Sequence, residues 1–135
     1  QVASFHPVIA GQPDGVTDGF YTFAQFDTPN RVTCTPEICS WIDQYEAMFD
    51  TTPNIGSAYG YMYIDITARA LEIAGKDLTT DSFLKALESI KDYKMPFGET
   101  ILSWGPDKHL GANVAYLFEV QDGRFVQIDD KEYTY

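Results

Sequence analysis

The residues of this 135-residue chain that could do chemistry are few. Cys34 and Cys39 enclose Thr35-Pro36-Glu37-Ile38, while His6 and His109 are remote from both in sequence. A zinc centre needs four ligands, and this pair lacks two with no local candidate, so no metal or other cofactor is expected. A disulfide closing the loop suits an oxidising compartment. Two buried thiols at a helix start are the alternative, and the spacing does not choose between them. Either thiol with a histidine would make a nucleophile and its base, but nothing local supports such a pairing. His6, before Pro7, reads as a surface or packing residue, and His109, in the turn Asp107–Gly111, reads as solvated. Asp129, Asp130 and Glu132 read as a solvated charge run rather than a cation site. No phosphate loop, dinucleotide fingerprint, zinc-protease motif or nucleophile elbow occurs, so no catalytic residue is assigned. The aromatic residues remain. They gather at Phe20–Phe26 and Tyr59–Tyr63, where most suit a core and some suit a stacked ligand. Tyr59 stands out. It is read in the first turn of a helix, where free N–H groups and the positive dipole end receive anionic groups, with the Ser57 hydroxyl beside it.

These residues must be positioned by a short list of elements. The first nineteen residues are broken by Pro7, Gly11, Pro13, Gly15 and Gly19, and only Val8–Ala10 suits a strand. A compact domain rarely opens on so much irregular chain, which points to a missing partner segment. Phe20–Phe26 reads as a buried strand leading into a turn, Asp27-Thr28-Pro29-Asn30. Thr35 caps a helix with Pro36 at its first position, and Ile38, Trp41, Ile42, Tyr45 and Phe49 line its apolar face. Ser57 is read as the cap of a second helix, 58–74, ending at Gly75. That helix is apolar on most sides, with one polar stripe of Asp65, Arg69 and Glu72, so it is expected to be nearly enclosed. A third helix starts at Thr79 or Thr80 and faces inward with Phe83, Leu84, Leu87 and Ile90. Strands are expected at 98–104, 113–120 and 125–128, the last two joined by an Asp122-Gly123 hairpin turn. The tail from Asp129 reads as frayed. The fold class is α/β, with helices packed on a sheet and an antiparallel ribbon at the end.

Composition narrows the partners. The chain carries 20 acidic against 9 basic residues, a formal net charge of −11, which disfavours nucleic acid and anionic lipid. Its 44% hydrophobic content excludes intrinsic disorder, and no apolar run is long enough to cross a membrane as a helix. Gln1-Val2-Ala3-Ser4 shows neither a basic nor an apolar leader region, so the chain is expected to be processed or trimmed.

Several segments, in order, carry a resemblance. Asp18–Thr22, Ser57–Tyr63 continuing through Ala70–Gly75, Asp81–Leu87, Phe97–Trp104 and Val120–Phe125 resemble the late strands, the Tyr-containing helix and the hairpin of one family. That family is the type I periplasmic solute-binding proteins, the branched-chain amino acid receptors of ABC transporters. The likeness spans residues 18 to 128 and only the last third of a family member. Trp104 stands where the family usually has Phe, and the Cys34–Cys39 pair is not an expected family feature.

The resemblance implies a C-terminal part of a two-lobed periplasmic receptor that closes on a small solute and delivers it to a membrane permease. Residues 1 to about 55 would belong to the second lobe, about 56–104 to the first, and about 105–135 to the second again. Ser57, Ala58 and Tyr59 would contribute to the solute site from the helix start. The solute would be amino-acid-like or a related small organic molecule. With only part of a cleft, the chain is expected not to bind tightly alone, and to associate or exchange segments over its exposed sheet. Two other readings stand beside this one: a ligand-sensing domain of the same fold in a receptor or regulator, and a small enzyme using Cys34 or paired carboxylates.

Overall fold

Helix starts in this chain are set by side chains that satisfy the first free N–H groups. In the computed structural model, which describes residues 7–134, Thr35 accepts a hydrogen bond from Ile38 N and Pro36 opens α2, Pro36–Phe49. Asp50 closes α2 in the left-handed conformation, φ 51°. α3 spans Ile55–Ala74 and begins three residues before the sequence suggested. Its cap is Asn54, whose Oδ1 accepts from Gly56 N at 2.8 Å and Ser57 N at 3.3 Å. Ser57 returns the bond, accepting from Asn54 N at 3.3 Å, so it is the partner in a capping box rather than the cap. The same device, Thr79 with Ser82, opens α4, Thr80–Ser89.

The strands are β1 (Tyr21–Ala24), β2 (Tyr93–Lys94), β3 (Ile101–Leu102), β4 (Val114–Gln121), β5 (Arg124–Gln127) and β6 (Tyr133–Thr134). β4 is the hub of the main sheet, pairing antiparallel with β1, β5 and β6. The predicted Asp122-Gly123 turn joins β4 to β5, both residues at positive φ, as a two-residue hairpin requires. β2 and β3 form a separate two-stranded ribbon. α4 packs along α3, and one hydrophobic cluster ties Met62, Ile66 and Ala70 of α3 to Phe118 of β4 through Phe26, Met95 and Phe97.

Five expectations change. Val8–Ala10 is no strand: Pro7–Ala10 forms a helical turn, α1, beside β5, and Thr17 Oγ1 donates to Ala10 O at 3.1 Å. β1 is not a buried strand; Thr22 points inward, while Tyr21 and Phe23 are exposed on its other face. The strand expected at 98–104 shrinks to Ile101–Leu102, because Ser103 and Trp104 turn their N–H groups to Gly111 O and Ile90 O. The tail is not frayed. β6 pairs with Val114 and Ala115, the Tyr133 ring meets Phe23 at 5.1 Å, and Tyr116 donates to Glu132.

α3 is not enclosed either. Ala58, Met62, Ile66 and Ala70 are buried on one side, whereas Tyr63, Ile64 and Ile73 are exposed at 59%, 71% and 56%. Among the described residues, no element covers that outer face. The readings of His6 and of residues 1–4 lie outside the described residues.

Candidate functional site

The start of α3 collects the residues that the sequence singled out. Ser57 Oγ donates to Tyr45 Oη on α2 at 2.9 Å while serving the capping box. Ala58 is fully buried, and its N–H donates to Asn54 O. Tyr59 lies one turn further into the helix than the sequence suggested. Its ring meets Phe26 edge-on at 4.7 Å and stacks on Tyr63 at 5.8 Å. The structure thus brings the three together on one helix end whose first N–H groups are already taken by Asn54.

An aromatic shelf continues from there. Trp41 of α2 meets Phe97 at 4.8 Å and Tyr61 at 5.7 Å, and Phe97 lies 6.2 Å from Phe26. The shelf needs glycine at position 98, where a Cβ would sit 2.9 Å from Phe26 Cβ and 3.3 Å from its Cα. The polar stripe of α3 is also used. Arg69 Nε donates to Asp65 at 2.9 Å, Tyr93 Oη donates to the same oxygen at 2.8 Å, and the guanidinium lies 5.1 Å from the Tyr93 ring centroid. Burial and the hydrogen bond to Asp65 push the Tyr93 phenol well above its ordinary value.

Cys34 and Cys39 form a disulfide across the start of α2, with Cα atoms 5.4 Å apart. Just before it runs the loop Asp27–Thr33, which the sequence offered only as a turn. Asn30 Oδ1 accepts from Val32 N and Thr33 N, each at 3.0 Å, closing a tight turn. Arg31 ties the loop to α2 through Asp43 at 2.8 Å and Glu46 at 2.6 Å. Two cavities share this loop as wall. One, of about 560 Å³, lies between the loop, the start of α2 and residues 94–99. The other, of about 590 Å³, lies between the loop and β5. Neither is lined by Ser57, Ala58 or Tyr59.

Two groups of the loop are out of balance. Desolvation raises the Asp27 carboxyl to about 6, against bonds from Thr28, Thr33 and Asn30 that pull it down. Thr28 Oγ1 is buried with no hydrogen-bond partner. Only the Asp27-Thr28-Pro29-Asn30 turn was visible in sequence; the burial was not.

His109 is exposed, its ring nitrogen 3.1 Å from Pro106 O. Asp129 accepts from Tyr133 Oη at 3.0 Å and from Lys131 N at 3.2 Å. Among the described residues, no group of three or more His, Cys, Asp and Glu side chains could hold a metal, and no helix is long and apolar enough to cross a membrane.

The profile of the family "Periplasmic binding protein" matches residues 3–124. No curated protein matches. Among solved structures, a branched chain amino acid ABC transporter from Thermus thermophilus with bound valine superposes with a TM-score of 0.77 at 17% identity. The match covers 96% of this chain and 37% of that one. A solute binding protein of an ABC transporter from R. palustris, in complex with benzoate, gives 0.67 at 18% identity, covering 96% of this chain and 35% of that one. A leucine binding protein from Thermotoga maritima gives 0.60 at 14% identity, with coverages of 84% and 31%. At these identities the likeness speaks for the fold, which is part of the two-lobed periplasmic binding protein architecture. The chain spans little more than a third of the length of the first two. The small-enzyme reading falls, since the family and its solved relatives are solute-binding proteins. With the family profile matched over 3–124, the chain belongs to the periplasmic binding protein family.

Proposed function

We propose that this chain is the C-terminal portion of an extracytoplasmic, periplasmic solute-binding component of an ABC transporter. It captures an amino-acid-like or related small organic solute and hands it to the membrane permease. The observation that carries this reading is the family match over 3–124, joined to an α3 whose outer face is apolar yet uncovered. Related structures hold valine and benzoate, small carboxylates with an apolar body.

The lobes follow two groups of elements. β1 and β4–β6 form one group, and α3, α4, β2 and β3 form the other. The division at about 1–55, 56–104 and 105–135 shifts at its first boundary in this reading. α2 meets α3 and Phe97 through Trp41, which supports a first crossing in the loop Asp27–Thr33. Ser57, Ala58 and Tyr59 contribute to the solute site from the start of α3, with the Tyr59 ring, held by Phe26 and Tyr63, as the anchor.

Two measurements test this. In the full-length receptor, Tyr59→Ala weakens solute binding by roughly several-fold to tenfold, as loss of an aromatic anchor does; unchanged affinity removes Tyr59 from the site. The 135 residues alone hold only part of the cleft, so calorimetry with leucine or benzoate shows no tight binding. Micromolar binding by the isolated chain contradicts the partial-cleft reading.

A further inference from the structure

The cavity between the Asp27–Thr33 loop, the start of α2 and residues 94–99 draws lining residues from all three. Its volume, about 560 Å³, is that of a site for a small organic molecule. Its charge is one-sided. Asp27, Glu37 and Glu99 line it against a single Lys94, and Lys94 is already engaged, 3.0 Å from Glu99. Among the described residues, neither Asp27 nor Glu37 has an ion-pair partner. The hydrogen bonds to Asp27 come only from neutral groups of the loop, Thr28 N–H, the Thr33 hydroxyl and Asn30 Nδ2, the last at a long 3.4 Å. Beside Asp27, Thr28 Oγ1 is buried without a partner, an arrangement that native proteins rarely tolerate without a use for it. Ile38 and Pro96 add apolar wall.

We infer that this cavity is a second binding site, apart from Ser57–Tyr59, that takes a small organic ammonium. The ammonium sits against the Asp27 carboxylate, and its apolar body lies along Ile38 and Pro96. A carboxylate takes a cation's hydrogen bonds at full charge-assisted strength. Burial of Asp27 strengthens the attraction by lowering the local dielectric. The raised Asp27 carboxyl agrees, since an ionisable group kept where folding disfavours its charge is a mark of functional sites. Glu37 across the cavity adds to the field, and Arg124, which lines the neighbouring cavity together with Asp27, is the one other basic group on this loop's walls. The inference does not rest on the transport reading, because it uses no residue outside the chain.

The test is an amide NMR titration of the 135-residue chain with phenethylamine and with 2-phenylethanol, its neutral counterpart. The amine is expected to shift the amides of Thr28, Asn30 and Gly98, and the alcohol to bind roughly tenfold more weakly or less. Asp27→Asn lowers the amine's affinity by about tenfold or more, while the variant keeps the native spectrum elsewhere. Equal binding of amine and alcohol overturns the proposal, as does an affinity unchanged in Asp27→Asn. Shifts confined to other residues, or none up to tens of millimolar amine, overturn it too. None of these outcomes bears on Tyr59→Ala in the full-length receptor, so the two readings fail separately.

Discussion

The start of α3 and the loop Asp27–Thr33 lie close together in sequence and fold, yet they treat polar groups in opposite ways. At the helix start, Asn54 serves two N–H groups, Ser57 serves Asn54 and Tyr45, and Tyr59 is held between Phe26 and Tyr63. On the loop, a carboxyl is pushed toward its neutral form and a hydroxyl is buried without a partner. One region is built to hold a helix, and the other holds capacity unused by the fold. A carboxyl held against its charge beside a cavity points to a ligand more directly than residues of binding-competent type whose environment suits them.

That contrast makes the two regions respond to mutation with opposite sign. The largest effect is expected at Asp27. Its native carboxyl takes up a proton more readily than the unfolded one, from an ordinary value of 3.8 to about 6, so folding is disfavoured where the group must ionise. The penalty is full above about pH 6, shrinks as pH falls toward 3.8, and is absent below it. Asp27→Asn therefore stabilises the chain by up to about 3 kcal/mol at pH 7.5 and by almost nothing near pH 3.5, as read by urea unfolding at the two pH values. A variant less stable than the parent at pH 7.5 would place Asp27 among the structural carboxylates and erase the contrast. Next comes Thr28→Val, which swaps the unpartnered hydroxyl for a methyl of similar shape and should stabilise by about 1–2 kcal/mol in the same assay. Destabilisation there would mean that a buried water satisfies the hydroxyl. The smallest effect, opposite in sign, belongs to Asn54→Ala. Losing the cap of α3 should cost about 1 kcal/mol and speed hydrogen exchange at Gly56 and Ser57 ahead of the rest of the helix.

What sequence made legible follows the same divide. Helices α2 and α4 and the Asp122-Gly123 hairpin were readable because their signals are local: a cap, a spacing, a turn pair. α3 was found but entered late, because Ser57 has the right chemistry for a cap and only the structure shows it answering Asn54. The docking of the tail was invisible, since pairing of Tyr133 with Ala115 is a long-range choice that no local pattern announces. Cys34 and Cys39 were found as a pair, and their spacing left the bond open. The Asp27 loop was read as a turn and nothing more. Its interest lies in burial and in missing partners, and residue type encodes neither.

The position of β4 at the hub of the sheet governs how this chain comes together in time. Tyr21 of β1 must wait for Glu119, and Ala115 for Tyr133, so the sheet closes only after the helices between β1 and β4 have been made. The helices between, each defined by bonds a few residues apart, can form first and shorten the span that β1 must search. Throughout that interval Tyr21 and Phe23 wait on an unpaired strand, the form of backbone most open to the wrong neighbour. Late closure makes β4, the later strand, the one that secures β1.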